Sequence, residues 1–301
     1  MKKFFKYTLI AIVLIFSLVG VAFTAVLVGM QFGLTNVRGS IEERNSFFGK
    51  VPTINFTDNA SSTIEESSGP IGNGCGGGLD QASPCEWNET VQWAVVKGGL
   101  EKDQAVIARV AGETGVPARM IAAAVMPEQM RFFAQSENRE VFKRYFEPLK
   151  ILASLSQFSL GVSGMKQKTA EEVEAHSNDT SSKFYPGPEY AKLIAYSTST
   201  TDQDQELFNR LTDEKDHYYS YLYTALYLKE IEMQWKRAGF DVHNRPDVLV
   251  TLFNLGFAAS VPKPNPQVAG APITIGGQKY SFGDLGATFY HSSELLNEFS
   301  L

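Results

Sequence analysis

Met120-Ile121-Ala122-Ala123-Ala124-Val125-Met126-Pro127-Glu128-Gln129 is an apolar helical run that ends on a carboxylate. Ile121, Val125 and Glu128 stand at i, i+4 and i+7, so the glutamate extends the face that this helix buries. Glutamate is seldom buried without a partner or a task. A desolvated carboxyl holds its proton nearer neutral pH, which is what a general acid requires. The other reading is a carboxylate just past the core that faces water. Downstream, Phe158-Ser159-Leu160-Gly161-Val162-Ser163-Gly164-Met165 contains a glycine turn, and Thr169-Ala170 follows it.

The chain around this run is 301 residues long, 44% hydrophobic and 20% charged, enough for one large domain or two small ones. A net charge of −6, with no Lys/Arg block beyond the N-terminus, argues against nucleic acid as a partner. Lys2, Lys3 and Lys6 precede an uncharged apolar stretch from Tyr7 to Met30, which is long enough to cross a bilayer. Lysines on the short side keep that end in the cytoplasm and place the remainder outside. A cleaved signal peptide is the competing reading, but its apolar core runs only about 7–15 residues. Residues 1–30 are therefore expected to be a single-pass anchor in the cell membrane.

Residues 31–86 are rich in Ser, Thr, Asn and Gly, including Ser61-Ser62-Thr63 and Gly76-Gly77-Gly78, and read as a flexible extracytoplasmic stalk. Cys75 and Cys85 lie within it. A disulfide and two separate thiols both remain open, and without a nearby histidine the pair makes no zinc site.

A folded unit is expected over 87–301. Trp87, Val91 and Val95 share one helical face, and Ile107, Val110 and Ala111 share another in a segment ending near Gly115. Pro117 opens the helix of Glu128, and Pro127 is expected to kink or end it. A further helix is expected over about 139–155. Asp216 to Arg237 carries apolar residues on more than one face, as a central buried helix does. Pro246 opens another helix, and Ile273-Thr274-Ile275-Gly276-Gly277-Gln278-Lys279-Tyr280 predicts a hairpin with a Gly-Gly turn. A short helix from about Gly283 to Phe289 follows. The expected class is mostly α with a small C-terminal β-hairpin.

The order of these pieces resembles the catalytic domains of soluble lytic transglycosylases, relatives of goose-type lysozyme. Glu128 matches that family's catalytic acid. Ser159, Gly161, Met165 and Thr169-Ala170 match its Gly-Leu-Met-Gln loop, Ala225-Leu226-Tyr227-Leu228 its Ala-x-Tyr-Leu helix, and Phe253-Asn254-Leu255-Gly256 its Tyr-Asn-Ala-Gly. The resemblance covers roughly residues 100–260. The family glutamine is here Gly164, the tyrosine of the Tyr-Asn pair is Phe253, and the spacing from Glu128 to Gly161 is longer than usual.

The resemblance implies an α+β lysozyme-like fold that cleaves the MurNAc-GlcNAc bond of peptidoglycan glycan strands. Glu128 would protonate the bridging oxygen, then act as base while the muramic 6-hydroxyl closes a 1,6-anhydro ring. Ser159, Gly161, Gly164, Met165, Tyr227, Phe253 and Asn254 would contact substrate, with no cofactor or metal. Most glycosidases need two carboxylates about 5–9.5 Å apart, and this chemistry needs one. Glu113, Glu189, Asp216, Glu230 and Glu294 are candidates for a second acid, each equally readable as a solvated surface charge. The histidines His176, His217, His243 and His291 show no metal spacing and read as surface or structural. A hydrolytic lysozyme, or a non-catalytic glycan-binding scaffold of the envelope, remains an alternative.

Overall fold

A computed structural model describes residues 86–134, 159–213 and 215–301. The expected span at 7–30, nearly all of the stalk with Cys75 and Cys85, and the helix expected over 139–155 lie outside the described residues. Among the described residues no helix is long and apolar enough to cross a membrane.

The architecture is mostly helical with two small antiparallel hairpins. A 3-10 turn at Glu86–Glu89 leads into α1 (Val91–Lys102), α2 (Gln104–Thr114) and α3 (Ala118–Ala134). Then come β1 (Ser159–Leu160), β2 (Met165–Lys166), α4 (Gln167–Asn178), α5 (Gln203–Leu211) and α6 (Tyr218–Arg237). The chain closes with α7 (Pro246–Leu255), β3 (Pro272–Ile275), β4 (Gln278–Ser281) and α8 (Phe282–His291).

Local signals account for many of these boundaries. The Thr90 hydroxyl caps α1 by accepting from Trp93 N at 3.2 Å, and Ser281 caps α8 from Asp284 N at 3.1 Å. Gly115 ends α2 in the left-handed region at φ 68°. Pro246 stands first in α7, where its missing N–H costs nothing. The Gly276-Gly277 turn joins β3 to β4 with Ile275 opposite Gln278, as its sequence predicts. Trp87 is fully buried, edge-on to Trp93 with ring centroids 4.8 Å apart. The hairpin β1–β2 was not expected as strands; the sequence there reads as a turn only.

Helix α3 is the centre. Every residue from Arg119 to Met130 is buried, and α1, α2, α6, α7, α8 and β3 all pack on it. Pro127 does not end it: the helix runs on to Ala134. Proline at 127 frees the carbonyl of Ala123 from its helical partner. Gly286 of α8 lies against that oxygen, because a Cβ there would stand only 2.7 Å from it. The close approach lets a neighbouring backbone cover the gap that proline opens.

The polar residue at the start of α3 is met in a different way. Arg119 is fully buried and donates to the carbonyls of Phe289, Tyr290, Ser292, Glu294 and Phe299, at 2.6–3.0 Å. These include the last carbonyls of α8, which have no partner within their own helix. Burial draws the guanidinium down to about 10, still charged at neutral pH. Arg119→Met should therefore cost about 3–5 kcal/mol, since five carbonyls lose a charged donor, although that of Phe289 keeps Ser292 N and Oγ. Urea unfolding of the variant measures this, and a loss below 1 kcal/mol (the scale of one neutral hydrogen bond) would refute the role.

Candidate functional site

Glu128 lies near the C-terminal end of α3 and is only 5% exposed. The turn between β1 and β2 comes down onto its carboxyl. Gly164, at φ 65°, rests so close that a Cβ would stand 2.5 Å from Glu128 Oε1 and 2.6 Å from its Cδ and Cγ. Only glycine satisfies both the left-handed backbone and the contact. Gly161, at φ 69°, opens the same turn, and its carbonyl accepts from Gly164 N at 3.1 Å. The next helix residue secures the turn from below: Gln129 Nε2 donates to the carbonyl of Val162. Ser159 and Met165 stand on the two strands of the hairpin, with Met165 buried.

Glu128, Gly161, Gly164 and Met165 are thus gathered at one place. Glycine at 164 has a physical reason here, because any side chain there would overlap the carboxyl.

Tyr227, Phe253 and Asn254 make a second group. Tyr227 is fully buried on α6, and its hydroxyl donates to Leu252 O at 2.8 Å. Phe253 meets the Tyr227 ring edge-on at 5.4 Å. Asn254 Oδ1 accepts from Ala271 N at 2.8 Å, tying α7 to the segment before β3. The hydroxyl of Tyr227 and the amide oxygen of Asn254 both bond backbone.

Three residues of the site were not anticipated. Arg131 Nη2 donates to Glu128 Oε2 at 2.5 Å and is 32% exposed, so the acid has a cationic partner at its rim. The i, i+3 spacing carried that signal. Ser163 Oγ and Gln129 Oε1 are buried and have no hydrogen-bond partner among the described residues. Unsatisfied buried groups of this kind call for a reason, and a bound ligand is one.

The candidates for a second acid resolve individually. Glu113 accepts from Tyr218 OH at 2.5 Å and Arg109 at 3.0 Å, and the Tyr218 bond, then the Arg109 one, hold it below the usual carboxylate range. Asp216 caps the start of α6 from Tyr218 N, Glu294 pairs with Lys97 at 2.9 Å, and Glu189 is exposed. Glu230 departs from its surface reading. It is fully buried on α6, accepts from Ser177 Oγ at 2.9 Å, and its Oε2 meets no donor among the described residues. Burial pushes its carboxyl from an ordinary 4.5 up to about 10.

Of the histidines, His217 is buried, with Nδ1 2.6 Å from Asp103 Oδ2, which also accepts from Tyr221 OH. Among the described residues no three His, Cys, Asp or Glu side chains gather as metal ligands would. No protein-family model, curated protein or solved structure matches the chain.

Two stability measurements test this geometry. Glu230 keeps its proton in the folded state between about 4.5 and 10 while the unfolded chain has released it, so stability falls as pH rises across that window. Between pH 5 and 9 the wild type should lose at least about 1 kcal/mol more than Glu230→Gln, read from urea midpoints. Equal losses would place an ionised carboxylate at 230. Gly164→Ala should cost more than Gly115→Ala, which has a similar φ of 68° but open space around its Cβ. Both carry the left-handed cost of about 1–2 kcal/mol, and only Gly164→Ala adds the overlap with Glu128. The excess should vanish in a Glu128→Ala background, and an excess that persists there would remove the carboxyl from the contact.

Proposed function

We propose that this protein cleaves the glycan strands of peptidoglycan as a lytic transglycosylase, with Glu128 as its single acid and base. The observation that carries the reading is the seating of the Glu128 carboxyl, buried at the end of an enclosed helix and covered by a glycine turn. Backbone without side chains at 161 and 164 leaves room for a sugar N-acetyl group to come close to the turn. On this reading the fold is lysozyme-like, and Glu128 protonates the glycosidic oxygen between MurNAc and GlcNAc. The carboxylate then takes the proton of the muramic 6-hydroxyl as that oxygen attacks the anomeric carbon. The leaving sugar departs with the first proton, and the 1,6-anhydro end forms without water. Residues 1–30 would hold the protein in the membrane, and the stalk would carry the catalytic unit outward to the wall.

A non-catalytic glycan-binding reading has one observation in its favour. Arg131 holds Glu128 in an ion pair at 2.5 Å, and a proton donor must give up that bond before it can act. The proposed cycle therefore requires Arg131 to release the carboxyl when glycan enters. Its side chain, a third exposed, has room to swing outward.

Mass analysis of the fragments released from sacculi decides between these readings. Anhydro-muropeptides are expected. Products heavier by one water would make the protein a lysozyme, and intact sacculi with bound protein would make it a scaffold. Glu128→Gln keeps the shape and removes the transferable proton, so cleavage should fall by about 10²–10⁴-fold. Stability should hold or rise, because a buried carboxyl is costly to a fold. Full activity in Glu128→Gln would overturn the assignment of the acid.

A further inference from the structure

A second cleft of about 350 Å³ opens beside the C-terminal half of α4 and shares no residue with the turn at Glu128. It lies within the range of small-molecule sites, about 300–1,000 Å³. Glu174 lines it, and the hydroxyls of Tyr196 and Tyr223 both donate to one oxygen of that carboxylate, Oε1. No donor among the described residues is bonded to Oε2. Asn178 spends its amide nitrogen on Glu174 O at 2.8 Å, which leaves its Oδ1 as a second open acceptor. The exposed Gln203 amide makes no hydrogen bond of its own among the described residues. Between these polar groups, Ile194 and Ala195 supply an apolar floor.

The wall is built rather than incidental. Arg210 is buried and donates to Ile194 O at 2.7 Å and Ala195 O at 3.0 Å. Its guanidinium also stacks under the Tyr196 ring at 4.3 Å. Three consecutive lining residues are thereby fixed by one buried cation, and preorganisation of this kind lowers the cost of binding.

We infer that this cleft binds an N-acetylated sugar, forming a glycan-docking site apart from the Glu128 turn. Open acceptors at Glu174 and Asn178 call for a ligand rich in donors, as sugar hydroxyls are, and they repel anions. The floor of Ile194 and Ala195 suits the C–H face of a pyranose or an acetamido methyl. The choice of sugar rests on the glycan reading given above; the cleft chemistry by itself selects a neutral or cationic donor. A docking point away from the cut would keep a membrane-tethered enzyme on its polymer between events, raising the effective concentration of substrate.

The test uses the full chain in detergent, carrying Glu128→Gln so that nothing turns over, with methyl-labelled Ile and Ala. Titration with tri-N-acetylchitotriose should shift the Ile194 and Ala195 methyls in a saturable way. Asn178→Ala with Gln203→Ala changes two exposed side chains and should weaken that binding roughly fivefold or more, the worth of about one hydrogen bond. Unmoved methyls, or equal affinity in the double variant, would overturn the inference. Shifts produced by free lysine but not by the sugar would make the cleft an amine site and overturn it equally. Cleavage is not the readout: a protein that binds here and never cuts sinks the transglycosylase reading alone, and one that cuts with silent methyls sinks only this site.

Discussion

Helix α3 is enclosed on every side from Arg119 to Met130, and no polar group on such a helix can be left to solvent. Most are met by a neighbour, Gln129 Oε1 having none among the described residues, and those meetings shape much of the rest of the fold. Arg119 brings five carbonyls of the C-terminal segment around its guanidinium. Gln129 draws down the turn of the first hairpin through Val162. The carbonyl freed by Pro127 is covered by α8 at a glycine, where any Cβ would also strike Val250. A helix buried this completely makes demands on residues more than a hundred positions away.

The same enclosure explains why the candidate site stands where it does. Glu128 is the polar residue that α3 cannot wholly hide, since the helix is about to leave the core. A buried carboxyl destabilises a fold unless it is met, and here it is met by a rim arginine and by bare backbone. Bare backbone is a weak cover that a ligand can replace, whereas a packed side chain at 164 would have closed the site. Burial of that kind, costly to stability, is how active sites set a carboxyl apart from ordinary surface charges.

Much of the fold was legible because periodicity and glycine or proline punctuation act locally. The α6 stripe, the Gly-Gly hairpin and the opening of α7 at Pro246 needed no tertiary knowledge. Pro127 does not end the helix, and the sequence shows the lost hydrogen bond but not Gly286, 159 positions later, lying on the freed carbonyl. Glu230 was misread for a reason that was available. A helix judged apolar on several faces leaves no solvated face for a glutamate between Leu228 and Ile231. Asn254 Oδ1 and the Tyr227 hydroxyl bond backbone at Ala271 and Leu252, pairings that no motif announces. Arg210 and Glu174 gave no sequence signal, because Tyr196 and the tyrosines of α6 meet them only in the fold.

Among the described residues two glutamates are buried, and their surroundings separate them. Glu230 is fully enclosed, bonded by one serine hydroxyl, and raised to about 10. A group held there keeps its proton at neutral pH, and acid–base catalysis wants a value near the working pH. Nor can a glycan reach a side chain with no exposed surface. Glu128 keeps a thin edge of exposure and a partner that is a third exposed. Its bonds can be exchanged from outside, as a cycle of giving and taking a proton demands. Burial alone would have favoured Glu230. Reach and exchangeability favour Glu128.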